Sequence, residues 1–184
     1  TYSLEDIPEP EELEDDLVTI TRNYKQLIEN DVQEGTGYWM LHPGEDQEYW
    51  ESWKEGGYIA IGWDKIDYRE GNLTEQIRDK YPDNDPSYLE RLFSNFYEDM
   101  DKGDVVLICG KNKVLRAAEV TSAPYIEGEE AIHRRDVEWL TEEPIDVSDY
   151  EEDFVNMVTH RYTLLEFSES GNIETIESEI LKAK

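Results

Sequence analysis

Four of the five tryptophans crowd between Trp39 and Trp63, and they offer the clearest chemistry in the chain. Trp39 stands in Gly37-Tyr38-Trp39-Met40-Leu41-His42, and Trp63 directly follows Tyr58-Ile59-Ala60-Ile61-Gly62. Both therefore sit at the edges of apolar runs that read as strands. A tryptophan inside a strand serves the core. One placed where a strand runs out into a polar loop can wall a pocket, because its ring offers a flat apolar face and an N–H that needs a partner. Such walls suit planar, uncharged ligands such as nucleobases. Trp63 is the first candidate wall and Trp39 the second, with core packing the alternative for each. Asp64 can accept a base amino or imino N–H, or cap its own loop. Trp50 and Trp53 have the spacing of helix packing, and Trp139 lies on an alternating strand as a core residue.

Other reactive groups form no recognisable constellation. His42, His133 and His160 do not pair with cysteine or carboxylate at metal-ligand spacing, so zinc is not expected. The single cysteine, Cys109 in Val105-Val106-Leu107-Ile108-Cys109, has no partner for an internal disulfide and no adjacent base, and reads as a buried strand thiol. There is no phosphate-binding loop, no dinucleotide fingerprint and no nucleophile elbow. Acidic pairs are so frequent that none is singled out for catalysis, and each reads as a solvated face. The expectation is a binding module without catalytic residues or cofactor.

The charge constrains its partners. Lys and Arg number 17 against 46 Asp and Glu, a formal net charge of −29. At face value this opposes nucleic-acid binding, which depends on neutralising phosphates. The acids are interleaved with apolar residues, as in Tyr97-Glu98-Asp99-Met100, rather than gathered in a tail. An acidic coat over an ordinary fold is expected, like that of proteins from salt-accumulating halophiles. The alternative is an acidic mesophile protein that mimics or avoids nucleic acid. The densest basic set is Lys111, Lys113, Arg116, Arg134 and Arg135. These are the candidate phosphate contacts, with charge balance as the alternative. No apolar run approaches the ~20 residues of a membrane helix and no signal peptide is visible, so a cytoplasmic location without membrane contact is expected.

The elements that must position these residues follow from periodicity. An acidic lead and an amphipathic docking helix at 11–30 fill residues 1–36. A domain at 37–167 follows, and Ile173, Ile176 and Ile180 suit a closing helix in 168–184. Within the domain, strands are predicted at 37–42, 58–62, 105–109, 113–121, 133–140 and 160–167. Helices are predicted at 46–55, around Leu73–Tyr81, and after the Asp85-Pro86 cap, where Leu89, Leu92, Phe93, Phe96, Tyr97 and Met100 form an apolar stripe. Residues 122–132 read as an irregular acidic loop and 141–157 as an acidic linker with a helical turn. The order is not a βαβαβ alternation. It predicts an α+β fold with a curved, partly closed sheet of five to six strands.

The elements Tyr38-Trp39, Gly62-Trp63-Asp64, Lys102-Gly103-Asp104-Val105-Val106-Leu107 and Ala118-Glu119-Val120-Thr121 resemble the EVE domain family of the PUA-like superfamily. His133-Arg134-Arg135-Asp136-Val137-Glu138-Trp139-Leu140 and Ile61-Gly62-Trp63-Asp64 further resemble the EVE-like N-terminal modules of McrB-type restriction proteins. The likeness covers residues 37–140. It implies a PUA-like pseudo-barrel, shared in outline with YTH readers of N6-methyladenine, that reads a modified or flipped base in an aromatic pocket. It also implies Tyr125, in the loop after the Ala-Glu-Val strand, as a second pocket wall. The implied partner is modified DNA or RNA, with a restriction or RNA-processing effector. The alternatives are a PUA-like RNA-binding protein, or a small-molecule or protein-interaction module using the same pocket.

Overall fold

The computed structural model describes residues 36–111, 113–147, 150–159, 162–167 and 170–183. The helix expected at 11–30 lies outside them, as does His160. Numbered in chain order, the strands are β1 (Tyr38–Leu41), β2 (Tyr58–Ile61), β3 (Val105–Cys109), β4 (Lys113–Val120), β5 (Tyr125–Ile126), β6 (His133–Trp139), β7 (Ile145–Asp146) and β8 (Leu164–Glu166). The helices are α1 (Trp50–Gly56), α2 (Leu73–Lys80), α3 (Pro86–Ser94), α4 (Glu152–Thr159) and α5 (Ser170–Ala183).

β1 is buried along its whole length. It runs parallel to β3, with Tyr38 opposite Val105 and Leu41 opposite Ile108. Its other edge carries antiparallel β8. A strand inside a sheet that is covered on both faces has no polar side to show, and so reads as continuous apolar sequence. Alternation still sorts its side chains. Trp39, Leu41, Val106 and Ile108 enter one core, while Tyr38, Met40, Leu107 and Cys109 enter the other. The first core is closed by Trp53 of α1, Ile77 of α2 and the α3 stripe; the second by Phe154 and Val158 of α4 and Ile176 and Ile180 of α5.

The strand order is β2-β6-β4-β3-β1-β8, with β5 on β6 and β7 on β4. This is the expected α+β class, a curved mixed sheet with a six-strand path and short flanking helices. Two devices shape it. Between β3 and β4 the register slips, so that Ile108 faces Arg116 while Cys109 faces Val114. Leu115 is the extra residue of this bulge, which turns it into the first core and bends the strand pair at its end. On the far side β6 changes partner along its length. Val137–Trp139 pair with β4, whereas His133–Asp136 pair with β2, and β5 continues the line of β4 at Arg134 and His133.

α3 starts as its sequence predicts. The Asp85 side chain accepts from the Ser87 N–H at 3.0 Å, and Pro86 occupies the first turn. It continues into a π turn at Asn95–Asp99, which keeps Phe96 buried. The 46–55 helix is divided into a 3-10 turn at Glu45–Gln47 and α1. β5 and β7, two residues each, lie in segments read as a loop and a linker. Such short strands carry too little pattern to register as period two. Among the described residues no helix is long and apolar enough to cross a membrane.

Candidate functional site

A cavity of about 740 Å³ opens where β1, β2 and β3 end. Its walls come from four separate segments. His42 to Tyr49 and Trp53 follow β1, Ala60 to Trp63 close β2, Cys109 to Lys111 form the β3–β4 turn, and Thr159 and Thr163 precede β8. The volume is that of a small-molecule site.

The backbone around this space is bent in an unusual way. Of the five non-glycine described residues with positive φ, three line the cavity: Asp46 at 53°, Gln47 at 65° and Trp63 at 64°. Each such residue costs on the order of 1–3 kcal/mol and persists only where its surroundings enforce it; such residues gather at ligand sites. Gly44 shares the strained loop at φ 79°. A Cβ there would lie 2.7 Å from Tyr49 Cδ2, so glycine is what lets the Tyr49 ring fold back on the turn.

Trp63 is half-buried, and its ring meets Tyr88 edge-on at 6.4 Å. The Tyr88 hydroxyl donates to Thr163 Oγ1 at 3.2 Å and accepts from the Thr163 N–H at 3.3 Å. A second cavity residue thereby steadies the group that steadies the Trp63 ring. The Trp63 carbonyl accepts from the Ile66 N–H at 2.9 Å, fixing the turn. Trp53 borders the cavity with 1% of its surface exposed, and its Nε1–H has no partner among the described residues. A buried donor left unpaired costs about 1–3 kcal/mol. Cys109 is fully buried, which pushes its thiol up to about 12, so the cavity has no thiolate nucleophile at neutral pH.

The rim is acidic. Glu45 and Asp46 are exposed there, and Lys111 is bonded to Asp46 at 2.6 Å. The ion pair draws the Asp46 carboxyl below its usual range and the Lys111 ammonium above its own. The Tyr49 hydroxyl is raised above its ordinary value by burial, then by the charges of Glu48, Glu130 and Asp64. Among the described residues no cluster of histidine, cysteine and carboxylate is placed to hold a metal.

Of the four sequence candidates for the pocket, Trp63 lines the cavity and the other three are elsewhere. Trp39 is 1% exposed and spends its Nε1–H on Asp104 Oδ2 at 2.8 Å, as a core residue. Asp64 accepts from the Ile132 N–H at 3.1 Å and so ties two loops together. Tyr125 donates to Asp136 at 2.6 Å beside β6. The five basic candidates are likewise not gathered at one site. Lys111 alone is on the rim. Arg135 is 2% exposed, donates to the carbonyls of Phe96 at 2.8 Å and Ser122 at 3.1 Å, and is closed to phosphate. Arg134, next along the strand, points to the other face and lies 4.2 Å from the Tyr58 ring centroid. Arg116 donates to the Glu142 carbonyl at 3.1 Å, and Lys113 is exposed opposite Asp146. The sequence reading missed Tyr49, Gln47 and Thr163 as wall residues. The Pro43-Gly44 turn followed by Tyr49 was the available signal for the first.

The YTH domain of Zygosaccharomyces rouxii MRB1 protein, in complex with N6-methyladenosine RNA, is 15% identical to this chain. The match covers 80% of this chain and 85% of that one, with a TM-score of 0.48. The Mmi1 YTH domain is 10% identical over 81% and 100% of the respective chains, with a TM-score of 0.46. A hypothetical protein from Leishmania major is 13% identical over 82% and 99%, with a TM-score of 0.40. No curated protein matches the sequence. Residues 39–168 match the family described as "Domain of unknown function (DUF8426)". The match spans most of the chain, which therefore belongs to the DUF8426 family.

Proposed function

We propose that this protein is a non-catalytic nucleic-acid module whose cavity takes a modified, methylated base flipped out of its stack. One observation carries the reading: Trp63 is held in a left-handed conformation at the end of β2, with its ring at the wall of a cavity large enough for a base. A bulky residue in that conformation is strained, and a bound planar ring is what that placement serves. Tyr49 adds a second ring. Flipping a base costs a few kcal/mol, and each aromatic stack returns about 1–3.

The test is a titration of methylated and plain oligonucleotides, both DNA and RNA, at several salt concentrations. Trp63→Ala should abolish the preference for the methylated target while circular dichroism shows an intact fold. Equal loss on both targets rejects the reading. A second reading, a free planar small molecule, is favoured by the commitment to Asp46 of Lys111, the one lysine among the described rim residues, which leaves it less available to a phosphate. Binding of nucleosides at full strength, with no gain from an attached strand, selects it.

A further inference from the structure

The charge around the cavity bears on the kind of base it takes, an inference that rests on the base-pocket reading above. The walls present the rings of Trp63 and Tyr49. Glu45 lines the rim with no ion-pair partner among the described residues, and of the two rim carboxylates only Asp46 has a counterion among them. Lys111, the only lysine or arginine among the described residues of the lining, is that counterion. Glu48, Glu130 and Asp64 stand close enough to act on the Tyr49 hydroxyl. Arg135 is locked in the core and Arg134 sits on Tyr58, so neither neutralises these carboxylates.

A neutral base gains only stacking from such a site. A delocalised cation gains stacking, attraction to the negative ring faces and attraction to the carboxylates. We infer that the cavity selects a heteroaromatic cation, a base alkylated at a ring nitrogen and carrying a fixed positive charge, over a neutral base of the same size. The planar ligand expected from the tryptophans is retained, and its charge is changed from neutral to positive. The cation also relieves the mismatch between an acidic protein and a nucleic-acid ligand, because the recognised group itself brings the missing positive charge.

The test uses two methyl isomers of one nucleoside. 1-Methyladenosine is cationic at neutral pH and N6-methyladenosine is neutral; their mass and ring system are the same. Calorimetric titration of the full chain, with each nucleoside free and within a short RNA, should show the cation binding roughly 3- to 30-fold tighter in both settings. Joint substitution of Glu45→Gln and Asp46→Asn, both at exposed positions, should weaken 1-methyladenosine binding and bring the ratio close to one. If N6-methyladenosine binds as tightly as its isomer or more so, the charge inference is overturned and the base pocket stands. If neither binds in any setting, both fall.

Discussion

Replacing Trp63 by alanine and by glycine separates what the ring does for a ligand from what its backbone costs the fold. At φ 64°, a Cβ-bearing residue carries roughly 1–2 kcal/mol of strain that glycine does not. Glycine in turn loses about 0.4–1 kcal/mol to the greater freedom of its unfolded chain. Trp63→Gly should therefore be more stable than Trp63→Ala by about 0.5–1 kcal/mol, although both lose the same edge-on contact with Tyr88. That contact contributes on the order of 0.5–1.5 kcal/mol, so alanine falls below wild type while glycine recovers part or all of the loss. On the ligand side the two should be indistinguishable, each losing about 1–3 kcal/mol of stacking, or about fivefold to more than a hundredfold in affinity. Urea unfolding followed by circular dichroism gives the first comparison and calorimetry the second. If alanine proves at least as stable as glycine, residue 63 is not left-handed in solution and the ring is not placed as described. If alanine and glycine differ in affinity as much as in stability, the ring is not the contact.

Three further outcomes follow from the geometry. Arg135→Ala should cost about 3 kcal/mol, because it strands one buried and one partly buried carbonyl, whereas Arg134→Ala should cost no more than about 1 kcal/mol for its contact with Tyr58; paired urea melts distinguish them. Cys109 should resist alkylation in the native protein and react fully in denaturant, as followed by mass spectrometry; native labelling would falsify its burial at the cavity wall. Burial depresses the His133 imidazole below its ordinary 6.5, so the unfolded chain binds the extra proton first. Its contribution is complete above about 6.5 and is lost as pH falls below that, so stability should drop as pH falls through this value, and His133→Gln should flatten that limb of the profile.

Elements with their own periodicity were legible in the sequence; long-range capture was not. The α3 stripe and its Asp85-Pro86 start can be read directly, because cap, proline and spacing all lie within one segment. Trp39 shows the opposite case. A strand buried on both faces gives no alternation to say which core takes the ring, and the acceptor for its N–H is Asp104, 65 residues away. Arg134 and Arg135 looked like one patch because charge density ignores strand parity; period two sends one into the core and leaves the other outside. The cavity was legible only at Trp63 and, on its rim, Lys111. Its other walls are brought in by the slipped register of β3 and β4 and by the return of Thr163 beside β1, neither of which leaves a local trace.

β1 is the hub of this topology, and its position has a kinetic consequence. One edge waits for β3, where Gly37 donates to Asp104 across 67 residues, and the other waits for β8. Tyr88, which props Trp63, must also find Thr163 across 75 residues. Loops of this length close before any contact rewards them, which slows folding. No contiguous stretch of chain contains the cavity, so it is among the last features to assemble and the first to be lost. A ligand there clamps segments drawn from both ends of the domain. It should retard amide exchange across the whole sheet rather than around the pocket alone, making occupancy a brake on global opening.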